Sequence, residues 1–287
     1  MANARNESLG YLLGLIAVVT FAGTLPATRL AVRALDPVFV GLGRAIGAAL
    51  LGAAFLVLSK QRLPSREEGK SLVVVAAGIV VGFPLLTALA MSYVDASHGG
   101  VVLGILPLAT AATGALFSEE RPSARFWFFA LLGTTLVVGY SLSRAGGTLQ
   151  LADLALFGAI LSAGIGYAEG ARLCRSLGGL QVISWALVFS APVLIVPVVM
   201  FAPASIDLPL ESWLGFIYVT VVSQFLGFVP WYHGLALGGI AKVSQTQLLQ
   251  PFLTIVVSTL LLGEIADIHT WLVAVLVVAL VAIGKTV

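Results

Sequence analysis

SQTQLLQPFLTIVVS occupies residues 244–258, inside a longer apolar run at 240–262. It carries three glutamines, several hydroxyls and a proline. Ser244, Gln247, Pro251, Thr254 and Ser258 recur at steps of three and four, which on a helix puts them on one stripe. Such a stripe is costly against lipid, so it belongs against other helices or a water-filled path. The proline removes one backbone hydrogen bond and predicts a kink near mid-depth. An earlier stretch, GVVLGILPLATAATG at 100–114, matches it when Pro107 is laid on Pro251. Thr110 then falls on Thr254, Gly114 on Ser258 and Gly100 on Ser244; beyond them Glu120 falls on Glu264 and Trp127 on Trp271. Matches in one order at one offset indicate an internal duplication.

Working outward, the 287-residue chain is 59% hydrophobic and 10% charged, against roughly 25% charged in a soluble domain. With a mean hydropathy of +1.06 it reads as an all-α integral membrane protein. Apolar runs long enough to span a bilayer follow one another between short polar breaks. They lie near residues 9–31, 37–59, 71–94, 96–117, 123–142, 151–173, 179–201, 210–237, 240–262 and 268–283. The break at 143–150 divides the chain into 1–143 and 144–287, five spans each. An odd number of spans per copy makes the second copy cross in the opposite sense, the inverted-repeat plan of many secondary transporters. Eleven Lys and Arg fall on the side of the N-terminus (Arg5, Lys60, Arg62, Arg66, Lys70, Arg121, Arg125, Arg172, Arg175, Lys242, Lys285) and three on the other (Arg29, Arg33, Arg144). Both termini are therefore expected in the cytoplasm.

Several chemistries find no support. His98, His233 and His269 show no metal-binding spacing, and the single cysteine, Cys174, provides no cluster. There is no P-loop and no G-x-S-x-G elbow. No catalytic residue, cofactor, metal or nucleic-acid partner is expected. The first span has no Asp or Glu between Ser8 and Leu35, the acid that a proton-coupled exporter of organic cations needs. Glu169 and Arg172, three apart, predict a helical ion pair. Arg44, about two turns into the second span, reads as a snorkelling side chain or a partner of carbonyls.

Uncharged polar groups do fall at mid-depth. They are Thr20 and Thr24 in the first span, Ser162 and Tyr167 in the sixth, and Ser223 and Gln224 in the eighth. Phe228 and Trp231 follow Gln224 at helical steps and share its face. With Gln247, and with Leu103 beside Pro107, these residues predict a central binding site without fixed charge. Such a site suits an amino acid or a similar small amphipathic molecule. Pro107 and Pro251 are expected to act as paired hinges, one per repeat.

Three features carry a family resemblance. The first is the pair LPLATAATGALFSEE and QPFLTIVVSTLLLGE, each a proline-centred helix closing on glutamate. The second is the pair of five-helix halves. The third is DPVFVGLGR, similar to a Pro-to-Arg segment in which Arg44 is the arginine and Leu187 stands near the equivalent place in the second half. The chain resembles the EamA-type ten-helix permeases of the drug/metabolite transporter superfamily, and within it bacterial exporters of amino acids, aromatic ones included. The resemblance implies ten helices around a central cavity, export across the bacterial inner membrane, a small-molecule cargo, a lipid surround and a monomer. The alternatives are a broad exporter of apolar drugs or purine-like metabolites and, from another class, a membrane-embedded enzyme or flippase-like protein.

Overall fold

The computed structural model describes residues 2–117, 124–144 and 150–286. Glu120, Arg121 and residues 145–149 of the break at 143–150 lie outside the described residues. The described chain is helical. We number the rods α1 (Ala2–Ala22 and Thr24–Ala31), α2 (Pro37–Leu58), α3 (Arg66–Met91), α4 (Ala96–Val102 through Leu106–Phe117) and α5 (Ala124–Arg144). The rest are α6 (Leu151–Leu177), α7 (Gly179–Met200), α8 (Leu210–Gly238), α9 (Ile240–Val243 through Gln250–Leu262) and α10 (Ile268–Thr286). Eight of them, all but α5 and α10, contain stretches long and apolar enough to cross a membrane. Large apolar side chains such as Leu50, Val57, Val193, Val199 and Leu260 cover the outside, as a lipid-facing surface requires.

Local chemistry sets the ends. Asp36 accepts from Val38 N–H at 2.7 Å and Pro37 opens α2. α3 starts at Arg66, before the expected residue 71, because Ser65 and Glu68 form a reciprocal capping box. α9 closes on Gly263 in the left-handed region.

Prolines explain the interruptions. Pro26 has no N–H for the carbonyl of Ala22. There α1 breaks at Gly23, and the Thr254 hydroxyl of α9 donates to that carbonyl at 3.2 Å. In α4 the carbonyl of Leu103, orphaned by Pro107, accepts from Leu106 N–H in a 3₁₀ turn at Leu103–Ile105. In α9 the carbonyl of Gln247, orphaned by Pro251, accepts from Gln250 N–H in a 3₁₀ turn at Ser244–Leu249. Both orphans are therefore satisfied by tightening the helix, and neither carbonyl is left free. α3 and α8 each carry a π-helical segment, Ala76–Gly82 and Tyr218–Leu226. The ends of these segments, Gly82 and Leu226, are separated by the same 144 residues as Pro107 and Pro251.

The rods pack in matched pairs: α1 on α8 and α6 on α3, α2 on α7, α5 on α10, α4 on α9. The α1/α8 and α6/α3 crossings bring backbones together. A Cβ on Gly10 would lie 2.8 Å from Gly238 Cα, and one on Gly78 would lie 2.5 Å from the Ser162 carbonyl oxygen. α4 and α9 run antiparallel. Gly100 lies against Thr254, Gly104 against Pro251, and the N–H groups of Ala96 and Ser97 donate to Glu264 at 3.0 and 2.9 Å. Glu264 thus supplies a charge to the first turn of a helix in the other half, where the helix dipole favours it.

Candidate functional site

The middle of the bundle holds a narrow chamber of about 10 Å³, lined by Phe21 and Thr24 of α1, Arg44 of α2, and Ile79 and Phe83 of α3. Tyr167 of α6, Ser223, Gln224 and Phe228 of α8 and Gln250 of α9 complete the wall. Residues from before and after the 145–149 break therefore build it jointly. Its volume is far below the roughly 300–1,000 Å³ of small-molecule sites. This conformation is a contracted one, and admitting a cargo requires the walls to part.

The polar groups are placed by backbone irregularities. In the π register the carbonyl of Ile79 would accept from residue 84, which is a proline without an N–H. Gln224, in the π segment of α8, fills that gap: its Nε2 donates to Ile79 O at 3.2 Å, leaving Oε1 without a partner. Next to it Arg44 Nη2 donates to Ser223 Oγ at 2.8 Å, and Ser223 Oγ lies 2.8 Å from Thr24 Oγ1. Arg44 is 2% exposed, and its Nε and Nη1 have no hydrogen-bond partner among the described residues. On the apolar side Phe21, Tyr167, Phe228 and Trp231 form a box of rings, with centroids 5.2 Å apart for Phe21 and Phe228 and 5.3 Å for Tyr167 and Trp231. Such tilted contacts hold ring geometry as well as burying area.

Of the residues singled out in the sequence, Thr24, Tyr167, Ser223, Gln224 and Phe228 line the chamber. Trp231 and Gln247 stand one layer back. Trp231 is fully buried behind the rings, and the buried Gln247 amide is near the Tyr167 hydroxyl but outside hydrogen-bond geometry. Thr20, Leu103 and Ser162 do not line the chamber. The Thr20 hydroxyl donates to Ala17 O within its own helix at 2.7 Å. Leu103 belongs to the 3₁₀ turn of α4, and Ser162 packs on Gly78 and Gly82 of α3. The hinge candidates Pro107 and Pro251 are buried at the ends of their 3₁₀ turns.

Two corrections follow. The chamber has a fixed charge, contrary to expectation, because Arg44 points inward. Phe216 and Thr220 of α8 lie against Gly43 and Gly47 of α2, and Ser184 of α7 lies against Gly52. Phe21, Ile79, Phe83 and Gln250 also line the chamber and were not singled out. The three apolar ones signal only depth, which every apolar residue in a span shares; Gln250 is polar but lies one residue off the stripe through Gln247 and Pro251.

Away from the chamber, Glu169 and Arg172 make the expected ion pair, Arg172 Nε donating to Glu169 at 3.0 Å and Nη2 to Ser71 of α3 at 2.8 Å. His98 of α4 meets Asp153 of α6 at 2.9 Å, and His98 stacks on Tyr140. Among the described residues no group of three His, Cys, Asp or Glu side chains is arranged to hold a metal ion.

Comparison with known proteins defines the class. The pattern of the EamA-like transporter family matches residues 8–142 and again 150–283. The chain is 46% identical over 256 residues to "Uncharacterized transporter YdeK" of Bacillus subtilis (strain 168), covering 89% of each. It is 24% identical over 201 residues to "Uncharacterized transporter YyaM" of the same organism, covering 67% of this chain and 66% of that one. A solved crystal structure superposes with a TM-score of 0.68 at 19% identity, covering 98% of this chain and 96% of the other, which speaks to the fold alone. The chain belongs to the EamA-like transporter family. It is a multi-pass membrane transporter rather than an enzyme.

Proposed function

We propose that this transporter exports amino acids, neutral and aromatic ones, from the cytoplasm by alternating access. The observation that carries the reading is the contracted chamber, built by both halves and lined by rings on one side and amide, hydroxyl and guanidinium groups on the other. An amino acid has that same division between apolar side chain and polar head.

The accompanying architecture is ten spans in two inverted five-helix repeats, 1–143 and 144–287, in a monomer of the bacterial inner membrane with both termini cytoplasmic. Four observations support it. Sequence matches, 3₁₀ turns before prolines and the ends of π segments recur at one offset. The family pattern matches twice. α4 and α9 run antiparallel. The Lys and Arg bias favours cytoplasmic termini. In this scheme Thr24, Tyr167, Gln224 and Phe228 contact the cargo, and Trp231 and Gln247 support them. Pro107 and Pro251 lie where each repeat bends.

Counterflow of radiolabelled amino acids in proteoliposomes tests the function. Exchange of phenylalanine or leucine is expected, persisting when a protonophore collapses the proton gradient. Exchange confined to purines or apolar dyes would replace the amino acid reading with a broader one. Reporter fusions at Val287 and in the 60–70 loop should both read cytoplasm.

A further inference from the structure

Arg44 raises a problem of charge. Its guanidinium is positive at neutral pH and is buried at the chamber wall. A buried charge is retained only when something compensates it. Within the described residues nothing does so. Buried and half-buried acids of the bundle are engaged elsewhere: Asp153 with His98, Glu169 with Arg172, and Glu264 with the first turn of α4. Ser223 takes one of the five guanidinium N–H donors, and Ser223 in turn is held by Thr24. Whichever Nη2 hydrogen Ser223 accepts, one parallel pair of N–H groups on the guanidinium stays intact. That pair is the fork a carboxylate fits in bidentate fashion.

We infer that Arg44 is a carboxylate anchor, and that the cargo is a small carboxylic acid bearing an apolar or aromatic group. The inference rests on the transport reading above and narrows its substrate class. The carboxylate supplies the counter-charge that the protein withholds, and Thr24 and Ser223 fix the orientation of the guanidinium. The apolar part of the cargo lies against Phe21, Phe83, Tyr167 and Phe228. The Gln224 Oε1 atom, free of partners, accepts from an amino group where the cargo has one. A cargo that carries a cation and no carboxylate would meet an uncompensated like charge and be rejected.

The test begins with the wild-type protein in proteoliposomes. Counterflow of L-phenylalanine is challenged with L-leucine, 3-phenylpropionate, phenylalaninamide and phenethylamine. The two acids should compete, the amide and amine should not. Arg44→Gln should weaken the apparent affinity for carboxylates about 30-fold or more, the scale for removing one partner of a buried charge pair. Arg44→Lys should restore part of it. Thermal unfolding separates this role from a structural one. Arg44→Gln removes an uncompensated charge, so its unfolding temperature should hold or rise, and L-phenylalanine should shift the wild type alone.

If the amide competes as well as the acids in wild type, the carboxylate inference is overturned and amino acid transport stands. If 3-phenylpropionate exchanges in an Arg44-dependent way and amino acids do not, the amino acid reading falls and the inference stands. Failure of every carboxylate to exchange or to shift unfolding overturns the inference. Exchange of apolar amines in its place overturns the amino acid reading as well.

Discussion

α4 and α9 solve the same backbone problem and serve the chamber differently. Each meets its proline with a 3₁₀ turn that satisfies the orphaned carbonyl, at Leu103 in one and at Gln247 in the other. Around that shared turn α4 places Leu103, Ile105 and Leu106, all buried and apolar, whereas α9 places Gln247 and Gln250. Gln250 reaches the chamber and none of the three α4 residues does. The same split separates α2 from α7. Arg44 lines the wall, and the position 144 residues on is Val188. Backbone devices are held twice, and chamber chemistry is divided unequally between the halves. The constraint on the backbone is geometric and recurs with the duplication. The constraint on the wall comes from a single cargo with two unlike ends.

That asymmetry can be broken at matched positions. The largest effect should come from Trp231, fully buried between Phe21 and Tyr167. Trp231→Ala should lower unfolding stability by about 3–5 kcal/mol. Thr87, 144 residues earlier, bonds to the carbonyls of Phe83 and Pro84 of its own helix, so Thr87→Ala should cost about 1 kcal/mol or less. Equal losses in thermal unfolding would show the α3 and α8 positions to be alike after all.

Next come the backbone crossings. Gly78→Ala drives a Cβ into the Ser162 carbonyl, and Gly10→Ala into Gly238. Each should cost about 1–3 kcal/mol from forced separation of the helices. A neutral result at either, read by folded yield in detergent, would mean that crossing is looser than its partner.

Glu264→Ala removes the acceptor for two N–H groups at the start of α4. A loss of about 0.5–2 kcal/mol is expected, with Glu264→Gln recovering part of it. The smallest effect on stability belongs to Pro107→Ala and Pro251→Ala. Both should slow turnover by about tenfold or less and leave apparent affinity unchanged, because each changes helix stiffness and neither touches cargo. Wild-type turnover in the double variant would reduce both prolines to packing.

Most helix boundaries were legible because apolar run length and caps are local properties. Even the early start of α3 was written in Ser65 and Glu68, three residues apart. Pro26 marked the break of α1 locally, but the hydroxyl of Thr254 that satisfies the freed carbonyl of Ala22, more than two hundred residues away, was not legible. In the chamber, Tyr167 and Gln224 were found because polar groups at mid-depth are rare. Thr20 misled, because a threonine can satisfy itself on its own helix and leave no outward sign. Arg44 misled in the other direction. Depth shows in the sequence, but which way α2 is rotated depends on its packing against α7 and α8.

The Arg44–Ser223 hydrogen bond also bears on how the protein is made. Its two residues are 179 positions apart. At about 5–20 residues per second, α2 waits roughly 10–35 s in the bilayer before Ser223 is synthesised. During that interval an arginine two turns into the span opposes insertion by up to roughly 2.5–3.5 kcal/mol, the cost at a span's centre. The eleven Leu, Ile, Val and Phe side chains of α2, at roughly −0.3 to −0.6 kcal/mol each near the centre, hold the helix in place meanwhile. The oiliness of α2 is therefore a requirement of biogenesis, separate from anything it does in the finished transporter.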